Sequence, residues 1–124
     1  MYQIHVRSGF SSGHALRGYN GKCEHQHGHN YKVRVSLAGE KLDDCGMLID
    51  FKVIKGMLNN VIDRLDHENL NELPAFTSIN PSAENLARHI YEGLESQLKE
   101  SQAGARLRNV TVWETDRNAV SYSE

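Results

Sequence analysis

Residues 2–10 alternate, with Tyr2, Ile4 and Val6 on one side and Gln3, His5 and Arg7 on the other. Residues 31–37 repeat the pattern, with Tyr31, Val33, Val35 and Leu37 set against Lys32, Arg34 and Ser36. A period of two predicts half-buried strands, here two antiparallel ones with one solvated face. The loop between them carries Gly18, Asn20 and Gly21, and Gly39 to Gly46 reads as a turn region. The period then changes. Phe51, Ile54, Leu58, Val61, Ile62 and Leu65 stand three and four apart, which predicts a helix with one apolar stripe. Asp50 is its expected N-cap, and it ends before Asp66-His67. After a loop holding Asn69, Asn71 and Pro74, a second helix is expected to start at Asn80-Pro81, with Pro at the first helical position. Its stripe is Ala83, Leu86, Ala87, Ile90, Leu94 and Leu98, and Gly104 closes it. Residues 107–115 predict a third strand, and Ala119–Tyr122 a short fourth after a turn at Asn118. The order ββααββ predicts a two-layer α+β domain over 1–124, an antiparallel sheet with two helices on one face. Such an open sheet leaves edges, so pairing with other subunits is expected.

Composition narrows the function classes. The chain has 124 residues and a formal net charge of −2, with no long run of one sign. That is no footprint for nucleic acid or an anionic membrane. No apolar run approaches the ~20 residues a membrane span needs. Met1 to Arg7 lacks the apolar centre of a signal peptide, so a cytoplasmic setting is expected. Two cysteines, Cys23 and Cys45, do not make a disulfide framework.

The chemistry gathers in Cys23-Glu24-His25-Gln26-His27-Gly28-His29. Side chains i and i+2 of a strand share a face, so His27 and His29 can reach one ion from one side of a sheet. Imidazole suits zinc well among the available metals. His14, at the end of the first alternating segment, is a third candidate if a hairpin brings it opposite. Three protein ligands with an open position make a catalytic zinc site, and four make a structural one. Cys23 therefore has two readings: the fourth ligand of a closed site, or a free thiol whose pKa falls beside the metal. Glu114 alternates with Val110 and Val112 and so points toward the apolar face, where a carboxylate is costly unless paired. Read without further context, Asp66-His67 are helix-ending polar residues, and Glu84 complements a helix N-terminus. His25 is a bystander, His5 and His89 are surface or interface residues, Cys45 is inert, and Trp113 packs in a core or an interface.

These motifs together resemble the 6-pyruvoyltetrahydropterin synthase and 6-carboxytetrahydropterin synthase family. They are Phe10 to His14, Cys23 to His29, Leu65 to Asn71, Asn80 to Asn85, and Trp113 to Thr115. The resemblance implies the tunnelling fold, in which sheets of several subunits join into a barrel, usually a homohexamer built as a dimer of trimers. It implies Zn2+ held by His14, His27 and His29, with Cys23, Asp66 and His67 as catalytic residues. The last two would come from a neighbouring subunit. It implies Glu114 as the anchor of the pterin ring, with Thr115 and Glu84 lining the substrate site. The implied substrate is 7,8-dihydroneopterin triphosphate. The short gap between Cys23 and His27 resembles the branch that forms 6-carboxy-5,6,7,8-tetrahydropterin for queuosine and other deazapurines. Pyruvoyl formation and 6-hydroxymethyl-7,8-dihydropterin formation for folate are the alternatives on the same scaffold. Some family members use a glutamate near the cysteine position, and here Cys23 and Glu24 are both present. A non-catalytic zinc-binding module is the competing class.

Overall fold

The computed structural model describes residues 1–21, 24–101 and 103–124. Strands β1 (Tyr2–His14) and β2 (His27–Gly39) form a long hairpin. Helix α1 (Phe51–Ile62) and helix α2 (Ala83–Ser101) follow, with two single 3₁₀ turns between them, and β3 (Arg106–Trp113) and β4 (Ala119–Tyr122) complete the chain. The sheet is antiparallel in the order β1-β2-β3-β4, as the alternating segments predict.

The inner face of the sheet carries Val6 and Phe10 from β1, Tyr31, Val33, Val35 and Leu37 from β2, and Val110 and Val112 from β3. Both helices set their stripes on it. Ile54, Leu58 and Ile62 of α1 and Leu86, Ile90 and Leu94 of α2 are almost fully buried in the same core. Gly9 permits the close approach of β1 to β2, since a Cβ there would sit 2.7 Å from the Tyr31 carbonyl oxygen. A bulge between Ser36 and Leu37 shifts the β2–β3 register, pairing Ser36 with Asn109 but Leu37 with Leu107. Strict alternation back from Val110 would turn Arg108 inward. The extra residue restores Leu107 to the core and leaves Arg108 in solvent.

Several boundaries differ from the sequence expectation. β1 runs four residues past residue 10, to His14, because β2 pairs with it throughout. Helix α1 stops at Ile62, and Leu65 is buried from the turn that follows. Phe51, expected in the stripe, is 53% exposed. Helix α2 starts at Ala83 rather than Pro81, because Ser82 Oγ accepts the Asn85 N–H and Ser82 O accepts the Leu86 N–H. Ser82 thus does the capping. β3 ends at Trp113, so Glu114 and Thr115 lie in the β3–β4 turn, where Glu114 N–H donates to Asn118 O. Trp113 is not in the core: it lies half-buried on the outer face, with Arg34 and Arg7 guanidinium carbons 5.6 Å and 5.9 Å from its ring centre.

Candidate active site and metal centre

The inner face changes character at one end of the hairpin. Register pairs His14 with His27 and Ser12 with His29, and cross-strand partners share a face. The three imidazoles therefore project from two neighbouring strands into one space. Their ring centres are 4.7 Å (His14–His27), 5.0 Å (His14–His29) and 4.9 Å (His27–His29) apart, all edge-on. Glu114 joins them from the β3–β4 turn, with Oε1 3.1 Å from His29 Nε2. One donor atom from each of the four residues lies within 4.8 Å of all the others.

Hydrogen bonds to the outer ring nitrogens fix the tautomers. His14 Nδ1 is 2.7 Å from Pro81 O, and His27 Nδ1 is 2.8 Å from His25 O. A carbonyl only accepts, so both Nδ1 atoms carry the proton and both Nε2 lone pairs are free. His14 Nε2 and His29 Nε2 are buried with no hydrogen-bond partner, although Glu114 Oε1 lies 3.1 Å from the second. Burying two polar nitrogens unsatisfied is unfavourable, and a cation is the partner that would relieve it. Zinc with ligands at about 2.1 Å needs tetrahedral donors about 3.4 Å apart, a spacing that small side-chain rotations reach from the observed cluster. The three imidazoles, with a carboxylate beside them, therefore fit a zinc-like ion. Burial holds the pKa of His29 below the usual histidine value, opposed by the charge of Glu114, so the ring is kept in the neutral form a metal requires.

Tyr31 marks the boundary between core and site. It is 1% exposed, stacks on Phe10 at 4.7 Å, and brings its hydroxyl 3.2 Å from His14 Nδ1. Burial raises its pKa, so it stays a neutral phenol.

The segment after α1 attaches to the His14 end of β1. Ser11 N–H donates to Asp66 Oδ1 (2.9 Å), His67 N–H to Ser11 O (2.7 Å) and Gly13 N–H to Glu68 O (3.0 Å). Ser12 Oγ donates to Leu65 O. His67 adopts a left-handed backbone (φ 57°), and its ring returns to its own neighbour, with Nδ1 3.0 Å from Asp66 Oδ2. The Ser11 N–H, with help from His67, lowers the pKa of Asp66. The His67 side chain is 82% exposed and stands apart from the imidazole cluster of its own chain. Thr115 Oγ1 accepts from the Arg117 and Asn118 N–H groups, which shapes the turn that presents Glu114. Glu84 is exposed in the first turn of α2. Cys23 lies outside the described residues. The carbonyls of His25 and Pro81 were not foreseeable, because a main-chain acceptor leaves no signature in residue type.

A family model described as 6-pyruvoyl tetrahydropterin synthase matches residues 3–124. The chain belongs to the 6-pyruvoyl tetrahydropterin synthase family. Among its relatives in that family is the 6-pyruvoyl tetrahydrobiopterin synthase of Dictyostelium discoideum, 36% identical, with 94% of this chain and 91% of that protein covered. Another is the 6-carboxy-5,6,7,8-tetrahydropterin synthase of Synechocystis, 34% identical over 98% of this chain and 93% of the relative. The structure of the Caenorhabditis elegans 6-pyruvoyl tetrahydropterin synthase superposes with a TM-score of 0.84 at 27% identity, covering 99% of this chain and 95% of that one. The ββααββ chain thus has the family's tunnelling fold. Relatives named for two different products match this tetrahydropterin synthase-family member almost equally well, so overall similarity does not select the product.

Proposed function

We propose that this protein is a zinc-dependent carbon–carbon lyase acting on 7,8-dihydroneopterin triphosphate. The products are 6-carboxy-5,6,7,8-tetrahydropterin, acetaldehyde and triphosphate, with uptake of water, in deazapurine (queuosine) synthesis. The observation that carries the reading is the convergence of His14, His27 and His29 with two buried, unpartnered Nε2 atoms. His14, His27 and His29 would hold the metal. When bound, it supplies Lewis acidity toward the side-chain oxygens of the substrate and orients the diol.

The remaining roles fall to the chain's own groups. Glu114 offers two carboxylate oxygens to the paired N–H donors at the guanidine-like edge of a pterin. Thr115 holds the turn that presents the anchor, and Glu84 belongs to the substrate-binding set carried by the resemblance. Cys23 takes a proton from the activated side chain as thiolate. Asp66 holds His67 Nδ1–H, which leaves Nε2 free to accept or return a second proton. The high exposure of His67 fits delivery of this pair to a neighbouring subunit's site in a homohexamer, where sheet edges would also be closed. Among the described residues no helix is long and apolar enough to cross a membrane; cytoplasmic placement belongs to the proposal.

The carboxy product is favoured over the pyruvoyl and hydroxymethyl products by the three-residue gap between Cys23 and His27. The deciding experiment incubates the zinc-loaded protein with 7,8-dihydroneopterin triphosphate and identifies the pterin by mass. A carboxytetrahydropterin supports the proposal, and a pyruvoyl or hydroxymethyl pterin moves the protein to another branch. No turnover, with Cys23 resisting alkylation until zinc is removed, would favour the non-catalytic module.

A further inference from the structure

His14 Nδ1 has two neighbours that ask opposite things of it. Pro81 O, 2.7 Å away, only accepts, so it requires a proton on Nδ1. The Tyr31 hydroxyl, 3.2 Å away, has this nitrogen as its hydrogen-bond partner among the described residues, and it can donate there only when Nδ1 is bare. His14 and Tyr31 are each 1% exposed, which keeps bulk solvent from relieving the conflict. A neutral ring with a bare Nδ1 carries its proton on Nε2, the nitrogen otherwise left free for a metal. The placing of one main-chain carbonyl therefore decides whether His14 can act as a ligand.

That carbonyl lies 67 residues along the chain, and two half-buried residues hold it by gripping each other. The Asn80 side-chain amide accepts the Arg17 N–H (2.8 Å) and donates to Arg17 O (2.9 Å). In return the Arg17 guanidinium donates to Ile79 O (3.1 Å), Asn71 O (3.0 Å) and Phe76 O (2.7 Å). The residues on either side of Pro81 are fixed as well. The Asn85 amide donates to Asn80 O (2.8 Å), and Ser82 caps α2. Pro81 itself has its φ set by its ring. Asn71 and Glu24 tie down the two residues between His14 and Arg17: the Asn71 amide bonds both main-chain groups of Ala15, and Glu24 Oε1 accepts the Leu16 N–H.

We propose that Asn80 and Arg17 are positioning residues, a reciprocal clamp that holds the Pro81 carbonyl on His14 Nδ1 and so keeps His14 Nε2 free for zinc against the pull of Tyr31. This deepens the zinc-site part of the function proposed above and is independent of which pterin forms. The two bonds to Arg17 and the bond from His14 join the same two short segments, 14–17 and 80–81. Releasing the first two lets the third drift, and the hydroxyl beside it is then the remaining partner for Nδ1.

Asn80→Ala removes both bonds to Arg17. Nitrogen-15 NMR of the metal-free protein, with the rings neutral, reports which nitrogen of His14 carries the proton. Chelator competition from the zinc-loaded protein reports affinity. In the parent, His14 is expected in the Nδ1–H form. In N80A the Nε2–H form becomes populated, and zinc affinity per folded molecule falls about 10-fold, the scale of a lost orienting partner. Adding Tyr31→Phe to N80A deletes the competing donor and regains about 2- to 10-fold, the worth of one hydrogen bond, whereas Y31F in the parent does not raise affinity. That change of sign is what a merely structural role would not produce. N80A with His14 still in the Nδ1–H form, or a loss of zinc that Y31F does not relieve, would overturn the proposal. If N80A fails to fold, Asn80→Asp carries the test. It keeps an oxygen for the Arg17 N–H but sets an acceptor against Arg17 O, so the same tautomer shift is expected, and an unchanged His14 overturns the clamp. The tautomer arm decides even if wild type makes no pterin product, an outcome that would count against the proposed function alone.

Discussion

The inner face of the β1–β2 hairpin has two ends built on one register and put to opposite uses. At one end Val6, Val35 and Leu37 are 0–3% exposed under the helices. At the other, the same alternation delivers Ser12, His14, His27 and His29 to the same side of the sheet. The apolar end is satisfied by contact alone. The imidazole end holds buried nitrogens without partners and is walled by loop segments fixed through side-chain amides and a carboxylate. A strand pattern therefore determines which side chains converge, and residue type then decides whether the convergence stabilises the fold or stores capacity for a ligand. Exchanging the contributions of the two ends by mutation should produce opposite signatures.

The largest effect is expected at the polar end. His29→Ala should remove more metal affinity than the about 10–100-fold that loss of an orienting partner costs, and turnover with it. The metal-free variant should be no less stable than the metal-free parent, because a buried unpartnered nitrogen is deleted. Chelator competition and denaturant unfolding of the metal-free forms check both halves. A large stability loss would mean that the histidines are packed as core.

The apolar end should answer in reverse. Leu37→Ala removes a fully buried side chain and is expected to cost about 2–5 kcal/mol in urea unfolding, while metal affinity per folded molecule stays near wild type. Tyr31→Phe tests the boundary. It keeps the Phe10 stack but deletes the hydroxyl 3.2 Å from His14 Nδ1, and the shorter 2.7 Å bond to Pro81 O remains. A cost of about 0.5–1.5 kcal/mol is expected, with metal affinity lowered less than about 10-fold. A greater loss of metal would make the phenol, rather than Pro81, the group that orients His14.

The contrast also explains what could be read from the sequence. Alternation gave the strands, the stripes gave the helices, and the i, i+2 spacing of His27 and His29 gave a shared face, because these depend on side-chain direction alone. His14 entered as a candidate ligand by supposing a hairpin, and the observed register does place it opposite His27. The bulge that returns Leu107 to the core was invisible, since Val110 and Val112 fix a phase that the backbone then breaks. The start of α2 was misplaced because Pro81 satisfies the rule for a first helical residue, while Ser82 does the capping and the Pro81 carbonyl serves His14. The clamps by Asn71, Asn80 and Glu24 pair residues 8 to 63 positions apart. No local pattern encodes such a pairing.

The smallest expected effect lies outside both ends and tests whether acid sensitivity belongs to the imidazole cluster. His89 of α2 is half-buried with its ring 5.3 Å from Phe76, and burial lowers its pKa, opposed by Glu92 and aided by Arg64. The pKa of His29 is lowered as well, again by burial first. A histidine whose folded pKa lies below its unfolded value near 6.5 binds its proton more readily in the unfolded chain. Its contribution to stability is therefore complete above about pH 6.5 and is lost as pH falls from there toward the folded pKa. Metal-free protein should lose stability between pH 7 and pH 5, and His89→Gln and His29→Ala should each flatten part of that slope. The two histidines share no partner among the groups that shift them, so the double variant should show the sum of the two changes. Denaturant midpoints at pH 7 and pH 5 for the four proteins measure this. A slope abolished by His29→Ala alone would confine the acid response to the metal-binding end, and one untouched by His29→Ala would mean that burial does not hold down the pKa of His29.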